Sequence, residues 1–314
     1  MSTTTIDHNR SSSNIIINIY KYLSIMAEYR AQAEATLNKK SVFAMFTGST
    51  QKYEDAAELF TKAGNAYKLK KQYDDAGLMY IKCAECHKER GETNDMINSF
   101  VEAGNIYKKS DPVKAIDAFT KAINGFNDSG RFGRSASLYK EIGEIYEADN
   151  NPEAAIDAYQ NAVDMYENDN KKSTASQCLI KIANLAAQAD DLAKASEIYE
   201  RLGRESMESN LGKFSAKGYF LQCILCHLAQ GDTVACNIKI DEFKGIDYSF
   251  GPSRECDFLE KLVVAISEVD ADGYAQACAD FDKITPLDPW KTSMLLKAKR
   301  NIQSQSGEGE VDLC

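Results

Sequence analysis

Two short stretches hold the residue types that could do chemistry. CAECH, Cys83 to His87, and CILCH, Cys223 to His227, both match C-x-x-C-H, the spacing that attaches a c-type haem, and Cys with His is also the ligand chemistry of zinc. The rest of the inventory gives such chemistry little to work with. The third of the three histidines, His8, lies in a Ser/Thr-rich N-terminal stretch. Nine cysteines in 314 residues are an odd count without the density of a small secreted scaffold, which points to free thiols in a reducing compartment. No G-x-x-x-x-G-K-[ST], G-x-S-x-G or H-E-x-x-H occurs. The sequence predicts a protein that is not an enzyme and uses no cofactor or metal.

The elements that must position these residues form a repeat. A large residue closes each of AAELF (Phe60), AGLMY (Tyr80), MINSF (Phe100), AIDAF (Phe119), SASLY (Tyr139) and AIDAY (Tyr159), and the series runs on through Leu179, Tyr199 and Tyr219. The step is twenty residues, with one step of nineteen. A second anchor follows seven positions later at Tyr67, Tyr107, Phe126, Tyr146 and Tyr166, and spacings of four and seven share one helix face. Between anchors, Asp111-Pro112 and Asn151-Pro152 read as a helix N-cap followed by proline in the first turn. Each unit is predicted as one helix of about 14–15 residues plus a short loop, and short loops make neighbours antiparallel. The expected fold is all-α: a tetratricopeptide-like right-handed α-solenoid of antiparallel helical hairpins, closed by a C-terminal helical bundle. The register is clear to Tyr219 and then blurs. The expected segments are a flexible extension over 1–25, the solenoid over 26–221, the bundle over 222–303 and an acidic tail over 304–314.

The separation of the two cysteine motifs is 140 residues, seven steps of twenty, so they occupy equivalent places in their repeats. Points seven helices apart in an extended stack do not converge on one metal, and the thiols are expected to be small core residues.

A formal net charge of −10 argues against nucleic acid as a partner, because counterion release needs a basic footprint. Apolar runs fall well short of the roughly 20 residues that span a bilayer, and no signal-peptide pattern opens the chain, so the expected location is cytoplasmic. Three surface features remain. SVFAMFTGS, Ser41 to Ser49, sets Phe43, Met45 and Phe46 just after Lys39 and Lys40, the pattern of a membrane-surface anchor or of a hydrophobic staple. Lys68, Lys70 and Lys71 follow Tyr67 as Lys108 and Lys109 follow Tyr107, with Arg131 and Arg134 in the next loop; a recurrent basic edge on an acidic chain suits an acidic partner. The terminal QSQSGEGEVDLC carries Glu308, Glu310 and Asp312 without a Lys or Arg.

At VFAMFTGS (42–49), AGNIYKKSDPVKAI (103–116), GRF (130–132), SAKGYF (215–220), SREC (253–256), PLDPWKTSMLLKAKRNIQ (286–303) and DLC (312–314) the chain resembles the soluble N-ethylmaleimide-sensitive-factor attachment proteins, alpha type. The resemblance runs from about Met26 to Cys314. It implies an adaptor that wraps SNARE four-helix bundles, several copies to a bundle, and recruits and stimulates the hexameric ATPase that unwinds them. The SNARE-facing residues it implies are Lys71, Lys108, Lys109, Arg131, Arg134 and Lys181. Two further lysines of relatives are replaced by Ser137 and Gln177. It implies membrane contact through Phe43, Met45 and Phe46, so peripheral association with membranes, and ATPase contact through Asp232, Glu268, Glu308, Glu310, Asp312 and Leu313. The alternative, a tetratricopeptide cochaperone or scaffold clamping acidic peptides, is opposed by the lack of a W-x-x-L-G-x-x-Y pattern.

Two aromatic rings at an interface are worth a few kcal/mol by area, enough for reversible attachment. Replacing Phe43 and Phe46 by Ser is expected to weaken liposome binding and to slow disassembly of membrane-anchored SNARE complexes while sparing soluble ones. Equal loss in both settings would favour the staple.

Overall fold

The computed structural model describes residues 26–38, 50–209 and 212–306, and among them every regular element is an α-helix. The expectations placed on 1–25, on 41–49 and on Glu308 to Leu313 lie outside these residues. The chain divides into two compact units between Ala148 and Asp149. The first holds α1 (residues 26–38), α2 (Thr50–Leu69), α3 (Tyr73–Arg90), α4 (Thr93–Tyr107), α5 (Pro112–Asp128) and α6 (Phe132–Ala148). The second holds α7 (Pro152–Asn168), α8 (Lys172–Gln188), α9 (Leu192–Ser206), α10 (Lys213–Gln230), α11 (Thr233–Ile246), α12 (Arg254–Ser267), α13 (Ala271–Asp282) and α14 (Pro289–Ser306).

The step of twenty is written in the backbone. Left-handed residues end helices at Lys71, Gly91, Gly130, Asn150, Asn170, Asp190 and Gly231, with φ between 54° and 79°. A residue in that conformation turns the chain and lets the next amides satisfy the last helix carbonyls, as Glu92 N does for His87 O at 2.9 Å. The following helix starts at once. Asp111 accepts from Lys114 N at 3.1 Å ahead of Pro112, and Asn151 from Ala154 N at 3.2 Å ahead of Pro152, as the sequence predicts. Because such turns take only three residues or so, most repeat helices run longer than the expected 14–15, with 17 residues in α5, α6, α7 and α8 and 18 in α3 and α10, while α4 and α9 have 15.

Glycines set how closely successive helices cross. A methyl group at Gly104 would lie 2.5 Å from the Phe119 ring, one at Gly64 2.8 Å from Tyr80 and one at Gly203 2.5 Å from Phe220. In each case the glycine sits on one helix and the ring on the next, so only a bare Cα admits the ring. The aromatic series divides accordingly. Phe60, Phe119, Tyr159 and Tyr199 are fully buried, whereas Phe100, Tyr139 and Tyr219 are only half-buried. At the last two the buried neighbours are Leu138 and Phe220 instead. At α10 the core position has moved by one residue, about 100° around the helix, because Phe220 is the ring that meets Gly203 of the preceding helix.

Half-exposed ion pairs link alternate helices within each unit. Lys68 reaches Glu102 at 3.7 Å (α2 to α4) and Lys108 reaches Glu141 at 2.8 Å (α4 to α6). In the second unit Arg201 pairs with Glu167 (α9 to α7), and Lys239 with Glu200 at 2.8 Å (α11 to α9). Each is worth little alone at this exposure.

The expected boundary at residues 221 and 222 falls inside α10, which runs unbroken from Lys213 to Gln230. That helix packs on α9, α11, α12 and α14, so the repeat register passes directly into the C-terminal helices. Helix α14 returns across them. Lys297 Nζ meets Asp190 at 2.6 Å in the turn after α8, and Asn301 Nδ2 donates to Ala229 O at 3.2 Å near the end of α10. Trp290 sets its ring against Tyr199, centroids 5.3 Å apart.

Two glycine substitutions separate packing from propensity. Gly104→Ala forces a methyl group into the Phe119 ring and is expected to cost about 1–3 kcal/mol. Gly218, inside α10, has nothing within 4 Å of an added Cβ, so Gly218→Ala is expected to stabilise by about 0.5–1 kcal/mol. Urea denaturation of both variants checks this, and shifts of the same sign would contradict it.

Candidate functional site

The C-x-x-C-H motifs are two copies of one helix ending. Cys83 and Cys223 each occupy the eleventh position of an 18-residue helix, α3 or α10. Each of these helices ends on a left-handed glycine, Gly91 or Gly231, four residues after the histidine. All four motif thiols are buried. Burial pushes the Cys86 thiol up to about 11 and the Cys226 thiol up to about 12, and raises Cys223 as well. At Cys86, Cys223 and Cys226 the reactive and metal-binding thiolate is therefore suppressed near neutral pH. Among the described residues, the side chains close enough to share a metal ion are His87, Glu92 and Asp95, which include no thiol. Glu92 is already held by Arg90 at 2.9 Å and by His87 Nδ1 at 2.8 Å. The motif thiols are core residues.

The loop lysines and arginines singled out in the first unit lie on two opposite edges. Antiparallel helices bring the α2–α3 turn beside the α4–α5 turn: Ser110 Oγ donates to Asp74 at 3.2 Å, and Lys109 Nζ lies 5.4 Å from the centroid of the Tyr73 ring. This edge gathers Lys68, Lys70, Lys71, Lys108 and Lys109, all exposed, together with Leu69 (83% exposed) and Val113 (77%). Lys108 is partly committed, through its 2.8 Å contact with Glu141. Arg131 and Arg134 occupy the other edge. Both guanidinium groups lie over Phe126, and Arg131 donates to Asn94 at 2.9 Å, next to the α3–α4 turn. Arg90, at the end of α3, contacts Glu54 near the start of α2 at 3.1 Å, so α2 begins on this arginine edge.

Carboxylates gather in the second unit. Asp257, Glu260, Glu268, Asp270 and Asp280 line an open groove of about 460 Å³ between α12 and α13, with Lys261, Val264 and Ala265 in its wall; Asp257 pairs with Lys261 at 2.8 Å, Glu260 with Lys244 at 2.5 Å and Asp280 with Lys283 at 2.9 Å. Glu268 is the residue that caps α12, and Asp232 caps α11 by accepting from Ala235 N at 2.8 Å.

Residues 25–303 match the family description "Soluble NSF attachment protein, SNAP". The chain belongs to the soluble NSF attachment protein family. It is similar to a beta-soluble NSF attachment protein of Bos taurus, 38% identical over 286 residues that cover 90% of this chain and 95% of that protein. An alpha-soluble NSF attachment protein of Mus musculus is 37% identical over 275 residues, covering 87% and 93%, and one of Saccharomyces cerevisiae is 37% identical over 267 residues, covering 84% and 91%.

For this member of the soluble NSF attachment proteins, the fold gathers Lys71, Lys108 and Lys109 and sets Arg131 and Arg134 one helix length away. Lys181, half-buried on α8, belongs to the second unit. Ser137 and Gln177 are exposed on α6 and α8. Sequence reasoning missed Asp257, Glu260, Asp270 and Asp280. The signal was present in SRECDFLEKLVVAISE, where 257, 260, 264 and 268 recur at helical spacing.

His227 supplies a pH test. Burial pushes its imidazole below the ordinary value, with Asp232 opposing and Lys239 adding to the shift. A histidine lowered on folding binds fewer protons in the folded state, so its contribution is present above about 6.5 and is lost as pH falls. Between pH 7.5 and 5.5 the wild type is expected to lose more urea stability than His227→Gln. Parallel profiles would contradict the assignment.

Proposed function

We propose that this soluble NSF attachment protein is a noncatalytic adaptor that binds assembled SNARE complexes and recruits and stimulates the N-ethylmaleimide-sensitive ATPase, in vesicle fusion and intracellular protein transport. The observation that carries the reading is a separation of charge: exposed lysines share one edge of the first unit, and exposed carboxylates share a groove in the second. The lysine edge takes the acidic SNARE bundle through Lys71, Lys108 and Lys109. Arg131 and Arg134 reach the same bundle from the opposite edge. The edges are a 17-residue helix apart, about 25 Å, comparable with the width of four packed helices of about 10–12 Å each. Lys181 extends the contact from the second unit.

The carboxylate end takes the ATPase. Glu268 and Asp232 act there as members of a larger acidic surface with Glu260 and Asp257, and Glu308, Glu310, Asp312 and Leu313 follow α14 as a second element of the same contact. Membrane contact is assigned to Phe43, Met45 and Phe46, in a segment that leaves α1 after residue 38 and enters α2 at Thr50. None of the described helices is long and apolar enough to cross a membrane. Attachment through these side chains is peripheral, from the cytoplasm, and several copies share one bundle.

The internal pair between Lys108 and Glu141 makes the test two-signed. Glu141→Gln frees Lys108 and is expected to tighten binding to an assembled SNARE bundle by about two- to fivefold, within the range of a partly exposed pair. Lys108→Glu with Lys109→Glu is expected to weaken it, with both effects fading as salt rises. Fluorescence anisotropy with a labelled bundle reads both. Unchanged affinity at low salt in both variants removes the lysine edge from the interface.

A further inference from the structure

Helix α11 presents an apolar stripe to solvent. Its inner face buries Cys236, Ile240 and Phe243. On the outer face Val234 and Ile238, one turn apart, are 68% and 61% exposed, and Tyr248 just beyond the helix is 89% exposed. Position 245 continues the stripe with a glycine that has nothing within 4 Å of an added Cβ. A glycine in the last turn of an exposed helix lowers helix stability, and no neighbouring group in the second unit requires it. What it leaves is an open, flat approach to the backbone beside two aliphatic side chains.

The charges around the stripe select its occupant. Both lysines of α11 are already answered: Lys239 by Glu200 at 2.8 Å and Glu242 at 2.9 Å, and Lys244 by Glu260 at 2.5 Å. The carboxylates are less committed. The Asp241 side chain, within the stripe, is 83% exposed with one contact of 3.9 Å to Lys244, and Asp232 is exposed at the helix start. An anionic membrane or an acidic helix bundle is repelled by this rim. A second copy of the chain, meeting it by two-fold symmetry, would set the same carboxylates against each other. The surface that fits carries Lys or Arg around an apolar or aromatic side chain.

We propose that the α11 stripe, Val234 and Ile238 with Gly245 and Tyr248, is an apolar anchor for a basic surface of the ATPase. This rests on the adaptor reading above and adds to it a contact that salt does not screen. Ion pairs across an exposed interface weaken as the Debye length shrinks, whereas burial of aliphatic surface does not. The anchor gives ATPase recruitment a salt-resistant part.

The test uses the full chain loaded on an assembled SNARE bundle, with the ATPase held by a non-hydrolysable ATP analogue, in low and in high salt. The substitutions Val234→Gln and Ile238→Gln keep good helix formers at exposed positions, and circular dichroism checks the fold. In high salt the wild type is expected to retain ATPase that the double variant has lost by about tenfold, the scale of burying two small aliphatic side chains. Asp241→Asn is expected to give the reverse pattern, weaker in low salt and equal to wild type in high salt. Recruitment by the double variant equal to wild type at both salts overturns the anchor and leaves the adaptor reading intact. A change in sedimentation of the isolated chain, with recruitment unchanged, assigns the stripe to contact between copies and likewise overturns it. Failure of the wild type to recruit the ATPase defeats the adaptor reading, and the anchor with it.

Discussion

A bare glycine Cα against an aromatic ring fixes the approach of consecutive helices. At Gly64 and Tyr80, Gly104 and Phe119, and Gly203 and Phe220, a methyl group would stand 2.5–2.8 Å from ring carbons, so the register of one helix on the next has little freedom. The turn positions follow from that register. With helices held at this spacing and ended by left-handed residues twenty apart, the ends of alternate helices come side by side. Lysines placed after Tyr67 and after Tyr107 then become a single patch.

The sequence made much of this legible because three signals agreed: the aromatic anchors, the proline and asparagine turns, and the seven-step distance between the cysteine motifs. It did not distinguish the half-buried Phe100, Tyr139 and Tyr219 from the fully buried anchors, because hydrophobic periodicity reports that a helix has an apolar face, while the depth of one ring depends on the neighbour it meets. Tyr219 yields the core to Phe220 because Phe220 is the ring that meets Gly203. Arg131 and the lysines looked like one surface because loops adjacent in sequence were read together, whereas antiparallel helices send successive loops to opposite edges. The acidic groove was obscured for another reason: its walls come from two helices, and each contributes carboxylates that alone resemble an ordinary solvated face.

Charge is partitioned between the units in a way that suits an adaptor. The first unit offers cations that are exposed yet lightly tethered, as Lys108 is by Glu141, so an incoming carboxylate exchanges partners at small cost. In the second unit Arg201, Arg204 and Lys239 of α9 and α11 are absorbed into pairs with Glu200, Glu205 and Glu242, and Lys244 and Lys261 answer Glu260 and Asp257 of α12, while the groove between α12 and α13 keeps more carboxylates than lysines. The duplicated cysteine motifs contribute to neither function. They are buried core residues in the second halves of α3 and α10, ahead of the glycine turns that end those helices.

The central claim is that one chain joins an assembled SNARE bundle to the ATPase. Co-sedimentation of the ATPase with SNARE bundles on beads, in a non-hydrolysable ATP analogue and with or without this protein, tests it most directly. The account predicts that the ATPase sediments with assembled bundles only when the protein is present, and that beads carrying the separate SNARE helices retain neither. Equal retention on separate helices, or ATPase sedimenting on bundles without the protein, would contradict it.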